Sequence, residues 1–146
     1  MTFSLKTFNE LSANELYEIL KLRSEIFVVE QNCVFLDMDD KDQKARHLMG
    51  EINGELIAYT RLYDKNQYYN EASIGRVVVS SRHRNLKYGH VLLQESIATI
   101  RRIFGTSNIR IGAQCYLQKF YESHGFKIYG ETYLEDGIPH VEMVLF

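Results

Sequence analysis

Hydrophobic and polar positions along the chain change period several times, and the order of those changes predicts one mixed α/β domain over residues 1–146. Thr2 to Phe8 alternates apolar and polar residues, as a strand does. Ser12-Ala-Asn-Glu15 has the form of a capping box, with Ser12 as N-cap and Glu15 three residues on. Leu16, Ile19, Leu20, Ile26 and Phe27 then recur at helical spacing, so a helix is expected to about Val28. His47–Glu51 and Glu55–Tyr63 flank Asn53-Gly54, a pair that tolerates the positive φ of a type I′ hairpin turn. Ala72 to Val79 reads as a strand buried on both faces, with the core I-G-R-V-V-V.

Leu93, Ile97, Ile100 and Phe104 share one face of a long helix predicted over Leu86–Phe104. Ile109–Ala113 follows as a short strand and Tyr116–His124 as a short helix that Gly125 stops. Two last strands, Phe126–Tyr133 and Ile138–Phe146, are joined by a second hairpin signal, Glu135-Asp-Gly137. The only proline, Pro139, falls at a strand start, where it removes no ladder bond. The element order is β-α-loop-β-β-β-α-β-α-β-β, with no repeat or linker.

Between Glu30 and Arg46 the periodicity dissolves. Asp37, Asp39, Asp40 and Asp42 crowd this stretch, but a calcium loop needs glycine at its sixth position and glutamate at its twelfth. Here those positions hold Asp42 and Leu48, so a solvated loop is expected. Cys33 and Cys115 form no paired motif, and the five histidines show no metal-ligand spacing; no metal is expected. A net charge of −2 argues against the basic surface of a nucleic-acid binder. No apolar run reaches the about 20 residues of a membrane span, and no export signal is present. A cytoplasmic protein without a membrane partner is the expectation.

Chemistry concentrates in Ile74–Leu93, where a buried strand runs through a basic turn into an amphipathic helix. The first amides of such a helix point at one spot, with the positive end of the helix dipole behind them. Arg82, His83, Arg84 and Lys87 add cationic side chains, and Gly89 allows close approach to the backbone. A pyrophosphate suits that arrangement, although neither G-x-G-x-x-G nor G-x-x-x-x-G-K-[ST] is present; the same turn could also be a solvated helix start. The second informative stretch is Gly112–Phe126, in which Phe120 reads as core. Tyr121, one step round the helix, can either pack or turn its hydroxyl along the helix edge.

Together these stretches resemble the acetyl-CoA signature of the GNAT N-acetyltransferase superfamily. Its [R/Q]-x-x-G-x-[G/A] pattern falls on Arg84-Asn85-Leu86-Lys87-Tyr88-Gly89, with Lys87 in place of a glycine, and its F-Y-x-x-x-G-F pattern falls on Phe120–Phe126. Longer strings are similar to the ElaA-like branch: LRSEIFVVEQNC (Leu22–Cys33), IGRVVVS (Ile74–Ser80), GAQ-x-x-LQ-x-FY (Gly112–Tyr121) and EDGIPH (Glu135–His140). The resemblance covers residues 20–146.

It implies the GNAT acyl-CoA N-acyltransferase fold, a central, mostly antiparallel sheet flanked by helices, with a V-shaped cleft splayed between two parallel strands. It also implies acetyl-CoA as acyl donor and a small-molecule or peptide amine as acceptor. The backbone of Val77, Val78 and Val79 would meet the pantetheine arm, and Leu86 to His90, with Arg84, Asn85, Lys87, Tyr88 and Gly89, the pyrophosphate. Gln114 would touch the pantetheine or the acceptor, and Tyr121 would be the general acid to the sulfur. The base stays open. Strand alternation would put Glu71 and Ser73 on the face of Val77 and Val79, and Glu30, His47 and His140 are further cleft candidates. A non-catalytic acyl-CoA sensor and a protein-interaction module are the competing readings, and an exposed sheet edge at Val141–Phe146 would permit a homodimer.

Overall fold

The computed structural model describes residues 1–146, apart from the side chains of Asn85 and Leu86. In chain order its strands and helices are β1 (Thr2–Thr7), α1 (Ala13–Arg23), β2 (Arg46–Ile52), β3 (Glu55–Tyr63), β4 (Ala72–Val79), α2 (Tyr88–Phe104), β5 (Ile109–Gln114), α3 (Gln118–Glu122), β6 (Lys127–Ile128), β7 (Tyr133–Glu135) and β8 (Ile138–Leu145). They form one eight-stranded sheet in the order β1-β2-β3-β4-β5-β8-β6, with β7 also on β8. Only β4 and β5 run parallel; every other pair is antiparallel.

Local chemistry sets most boundaries. The Ser12 hydroxyl accepts the Glu15 amide at 3.0 Å, and the Glu15 carboxylate accepts the Ser12 amide at 2.8 Å, which closes the expected capping box. Beyond Arg23 the helix widens into a π-helical segment, Ser24–Glu30, two residues longer than its spacing predicted. Asn53 and Gly54 adopt φ of 51° and 80°, and Asp136 and Gly137 φ of 51° and 77°, so both hairpin turns form as read. The expected strand Phe126–Tyr133 instead breaks into β6 and β7, because Gly130 between them turns to φ 90°. The short helix near Tyr116 divides into a 3-10 turn, Cys115–Leu117, and α3.

Each face of the sheet carries a core. On one side Leu92, Leu93, Ile97 and Ile100 of α2 pack on Leu62, Ile74, Ile111 and Met143. On the other, Ile19 and Leu22 of α1 and Ile26 just beyond it pack on Met49, Tyr59 and Val78.

The acidic stretch is not the solvated loop its composition suggested. Asp37 and Asp42 are each only 6% exposed, and both pair with Arg23, which is wholly buried. Arg61 adds bonds to Asp39 at 2.8 Å and to Asp42 at 3.0 Å. Charges removed from water must find partners, and three arginines on three different elements supply them. The sheet edge expected at Val141–Phe146 is likewise not an edge. β8 lies between β5 on one side and β6 and β7 on the other, so the proposed ground for a homodimer is absent; the sheet ends at β1 on one side and at β6 and β7 on the other.

Candidate active site

The cleft begins where β4 and β5 part. They pair only at Ala72–Ile109 and Ser73–Arg110, after which each strand leaves the other. The cause is local to β4. Between Tyr59–Val78 and Arg61–Gly75, β3 advances two residues while β4 advances three. The extra residue is a bulge, and Arg76 takes φ 50° there, a region most side chains avoid.

The bulge also reverses the alternation of the strand. Ser73 pairs with Tyr63 and Gly75 with Arg61 on the α1 side of the sheet, whereas Val77 and Val79 pack with the α2 core and Val78 with the α1 core. Glu71 and Ser73 therefore do not share a face with Val77 and Val79, as unbroken alternation required. One inserted residue flips everything before it.

The parting strands open a cavity of ≈ 520 Å³. Ile74–Val79 of β4 form one wall, and Ile111, Gly112 and Gln114 of β5 the other. At one end lie Arg84, Lys87, Gly89 and His90. A 3-10 turn, Ser81–Leu86, precedes Lys87, which sits at φ 59° as the N-cap of α2 and gives it no side-chain cap. Among the described residues no side chain caps the helix head, so an anion there would meet backbone first; the His90 amide donates to the Lys87 carbonyl at 3.2 Å. Arg84 reaches the Glu30 carboxylate at 2.6 Å, and the His90 ring meets that of His124 at 2.8 Å between nitrogens. Arg82 turns away to Glu55.

Over the other end, the segment after α1 meets the β7–β8 hairpin. Gln31 and Gln114 exchange amide hydrogen bonds of 3.2 and 3.3 Å, and the Cys33 thiol donates to the Asp136 carbonyl at 3.2 Å. Below this bridge Tyr121 lines the cavity, 6% exposed and edge-on to Phe120 and Phe126. Burial, and then the nearby Tyr116, raise the Tyr121 phenol well above its ordinary range, so it remains an O–H donor at neutral pH.

A parted parallel pair, a helix head in its mouth and a buried phenol beneath all border one cavity. The acetyltransferase (GNAT) domain model matches residues 11–146. The chain belongs to the GNAT acetyltransferase family. It is 42% identical to protein ElaA of Escherichia coli over 137 residues, covering 92% of this chain and 90% of that one. It is 44% identical to a UPF0039 protein of Schizosaccharomyces pombe over 147 residues, covering 99% and 97%. The crystal structure of an acyl-CoA N-acyltransferase from Pseudomonas aeruginosa aligns with a TM-score of 0.91 at 38% identity, covering 98% of this chain and 97% of the other. That of Escherichia coli ElaA gives 0.89 at 38%, covering 99% of both. This chain is an ElaA-like GNAT acyltransferase.

Most residues singled out from the GNAT signature reach the cavity, for Val77, Val78, Val79, Arg84, Lys87, Gly89, His90, Gln114 and Tyr121 all line it, as do Glu30 and His140 of the base candidates. The Tyr88 ring packs instead against the α2 core, and Tyr88 does not line the cavity. The side chains of Asn85 and Leu86 lie outside what the structure describes. Glu71 does not line the cavity; Arg110 holds its carboxylate through bonds of 2.9 and 3.0 Å, and that pairing lowers its pKa. His47 is wholly buried, with Nε2 at 2.9 Å from the Asp42 carbonyl and Nδ1 at 2.6 Å from the Tyr59 hydroxyl. A carbonyl only accepts, so Nε2 carries the proton and Nδ1 accepts from Tyr59. Both nitrogens are spent, and burial lowers the His47 pKa. Neither residue is a base at this site.

The sequence reading missed Arg76, Glu135 and Asp136 as cavity residues. A charged residue inside the apolar run I-G-R-V-V-V was the available sign for Arg76. For the hairpin pair there was none beyond its place next to His140.

Proposed function

We propose that this GNAT acyltransferase moves an acetyl group from acetyl-CoA to a primary amine by direct attack on the thioester. The observation that carries the reading is the shared cavity: Lys87 and Gly89 at the uncapped helix head and the buried Tyr121 line the same ≈ 520 Å³ between β4 and β5. Acetyl-CoA is long, with a diphosphate at one end and a thioester at the other, and such a cleft accepts each end in a different chemical setting. The helix amides and Lys87 suit the diphosphate, with Arg84 beside them. Beyond Ser73 the β4 backbone has no β5 partner, and the amides of the pantetheine arm can supply the missing bonds at Val77 and Val79.

Transfer then needs an amine free of its extra proton, donors for the developing oxyanion and a proton for the departing sulfur. A β4 amide near the bulge serves the oxyanion. Tyr121 serves the sulfur, because its buried phenol lines the cavity and is protonated at neutral pH. Gln114, tied to Gln31, lies where the pantetheine arm meets the acceptor. The test is titration calorimetry with acetyl-CoA, followed by thiol release with a panel of primary amines. Binding with amine-dependent release supports the reading; binding without release for any amine makes the chain an acyl-CoA sensor, and no binding removes the donor assignment.

A further inference from the structure

Resting on this acyl-transfer reading, we propose that His140 takes the proton from the acceptor amine, and that Glu135 holds the positive charge beside it. His140 stands opposite Gln114 across the β5–β8 ladder and opposite Tyr133 across the β7–β8 ladder, in a row of three side chains on one face of the sheet. It is 6% exposed and lines the cavity. The Tyr133 ring stacks on it, with centroids 5.8 Å apart and planes 27° from parallel. Its orientation is therefore fixed by strands on both sides and by a ring above.

The hydrogen bonds set its tautomer. Nδ1 lies 2.7 Å from the Ile138 carbonyl, which can only accept, so Nδ1 carries the proton and Nε2 keeps a lone pair. Nε2 is 3.4 Å from a Glu135 oxygen, long for a direct bond. Glu135 also lines the cavity, and its side chain remains 55% exposed. An ammonium group entering there meets a carboxylate to accept one N–H and a ring nitrogen to accept another. No other candidate offers both. Glu71 and His47 lie off the cavity, and Glu30 is occupied by Arg84.

The ionisable groups set around His140 are Glu135 and Tyr133 on β7, Asp136 in the turn, Glu142 two positions on along β8, and Cys33, Arg76, Tyr116 and Tyr121 in the same cavity; Gln31 and Gln114 are neutral. Partial burial, followed by the charges of Glu135 and Glu142, pushes the Tyr133 phenol up to about 12, so it does not compete for the proton.

The proton count closes. The ammonium gives one proton to His140 Nε2, and Glu135 offsets the charge of the imidazolium. The neutral amine forms its C–N bond to the thioester carbon, and the C–S bond breaks as sulfur takes the Tyr121 proton. The remaining excess proton on nitrogen returns to Tyr121 through solvent, and His140 releases its own to bulk.

The test uses the full chain with 15N-labelled histidine and saturating acetyl-CoA. The expected spectrum has His140 neutral with Nδ1 protonated and Nε2 bare, and n-butylammonium shifts the Nε2 signal in the wild type but not in Glu135→Gln. In parallel, thiol release is followed with n-butylamine, charged at neutral pH, and with methoxyamine, which is neutral. His140→Gln should lower kcat for n-butylamine about 10²–10⁴-fold and remove the acidic limb of its pH profile. It should change methoxyamine turnover, acetyl-CoA affinity and the melting temperature little. Glu135→Gln should raise KM for n-butylamine more than it lowers kcat. A proton on Nε2 of neutral His140, or an unchanged pH profile in His140→Gln, overturns the proposal while leaving the transferase reading intact. Failure of the wild type to bind acetyl-CoA removes that reading itself.

Discussion

Arg76 grips Asp37 twice, donating from Nε to its carboxylate and from Nη2 to its main-chain carbonyl, each at 2.8 Å. The other carboxylate oxygen of Asp37 accepts from Arg23 of α1, also at 2.8 Å. One aspartate thus ties the helix on one face of the sheet to the single β4 residue at positive φ. The bulge that opens the cleft and the acidic segment beside it are one assembly.

Removing Asp37 leaves Arg23, buried completely, short of a charge partner. Loss of one member of a buried ion pair costs about 3–5 kcal/mol, far more than loss of an exposed one. Asp37→Ala should therefore lower unfolding stability by that amount in urea melts. Asp39→Ala should cost less, since its side chain is 24% exposed. Equal losses from the two variants would show that the network does not depend on burial.

The same network sets the acid limit of the fold. Burial raises the pKa of Asp42 and Asp39, but it is outweighed by the hydrogen bonds and charges of their arginines, Arg23 and Arg61 for Asp42 and Arg61 and Arg76 for Asp39, so both lie below the usual carboxylate range. A depressed folded-state pKa contributes stability that is fully present above the unfolded value, about 4, and is lost as pH falls through the folded one. Stability should hold steady as the pH is lowered towards 5 and drop steeply below 4. Asp42→Asn should flatten that drop while lowering the plateau; a slope that matches the wild type would place the acid sensitivity elsewhere.

Most of this architecture could be read from patterns of two and 3.6 residues, because hairpin turns, caps and apolar stripes are local. Ala72–Val79 was legible to the residue, and its lead into a helix to within two residues, since α2 starts at Tyr88 after a 3-10 turn and not at Leu86. What escaped depended on partners far along the chain. The aspartates between Asp37 and Asp42 look solvated until Arg23, Arg61 and Arg76 are brought to them. Arg23 gave a hint, since it lies four residues beyond Ile19, on the stripe that α1 buries. The bulge at Arg76 left no periodic trace, and it alone moved Glu71 to the wrong face for a base. His47 failed for a similar reason: the Tyr59 hydroxyl on β3 and the main-chain carbonyl of Asp42, in a stretch that had looked solvated, take up its two nitrogens.

Tyr121 makes the acid role testable. Tyr121→Phe keeps the ring between Phe120 and Phe126 and deletes only the hydroxyl. Loss of a general acid lowers turnover by about 10²–10⁴-fold, so kcat should fall by that order while the acetyl-CoA dissociation constant barely moves. Full turnover in the variant would mean that the sulfur leaves without this proton.

Arg84 and Glu30 supply the last prediction, because their 2.6 Å contact sets a carboxylate against a phosphate for the same guanidinium. Both side chains are about two-fifths exposed, and such pairs contribute about 0.2–1 kcal/mol. A diphosphate at the helix head must therefore give up little to draw Arg84 away. Glu30→Gln should tighten acetyl-CoA binding by no more than about five-fold, most visibly at low salt, where screening is weakest. Arg84→Glu should do the opposite and more strongly, since it sets a negative charge where the diphosphate is proposed to lie. Calorimetry at two ionic strengths separates the cases. If both variants bind acetyl-CoA as the wild type does, the diphosphate does not lie against Arg84.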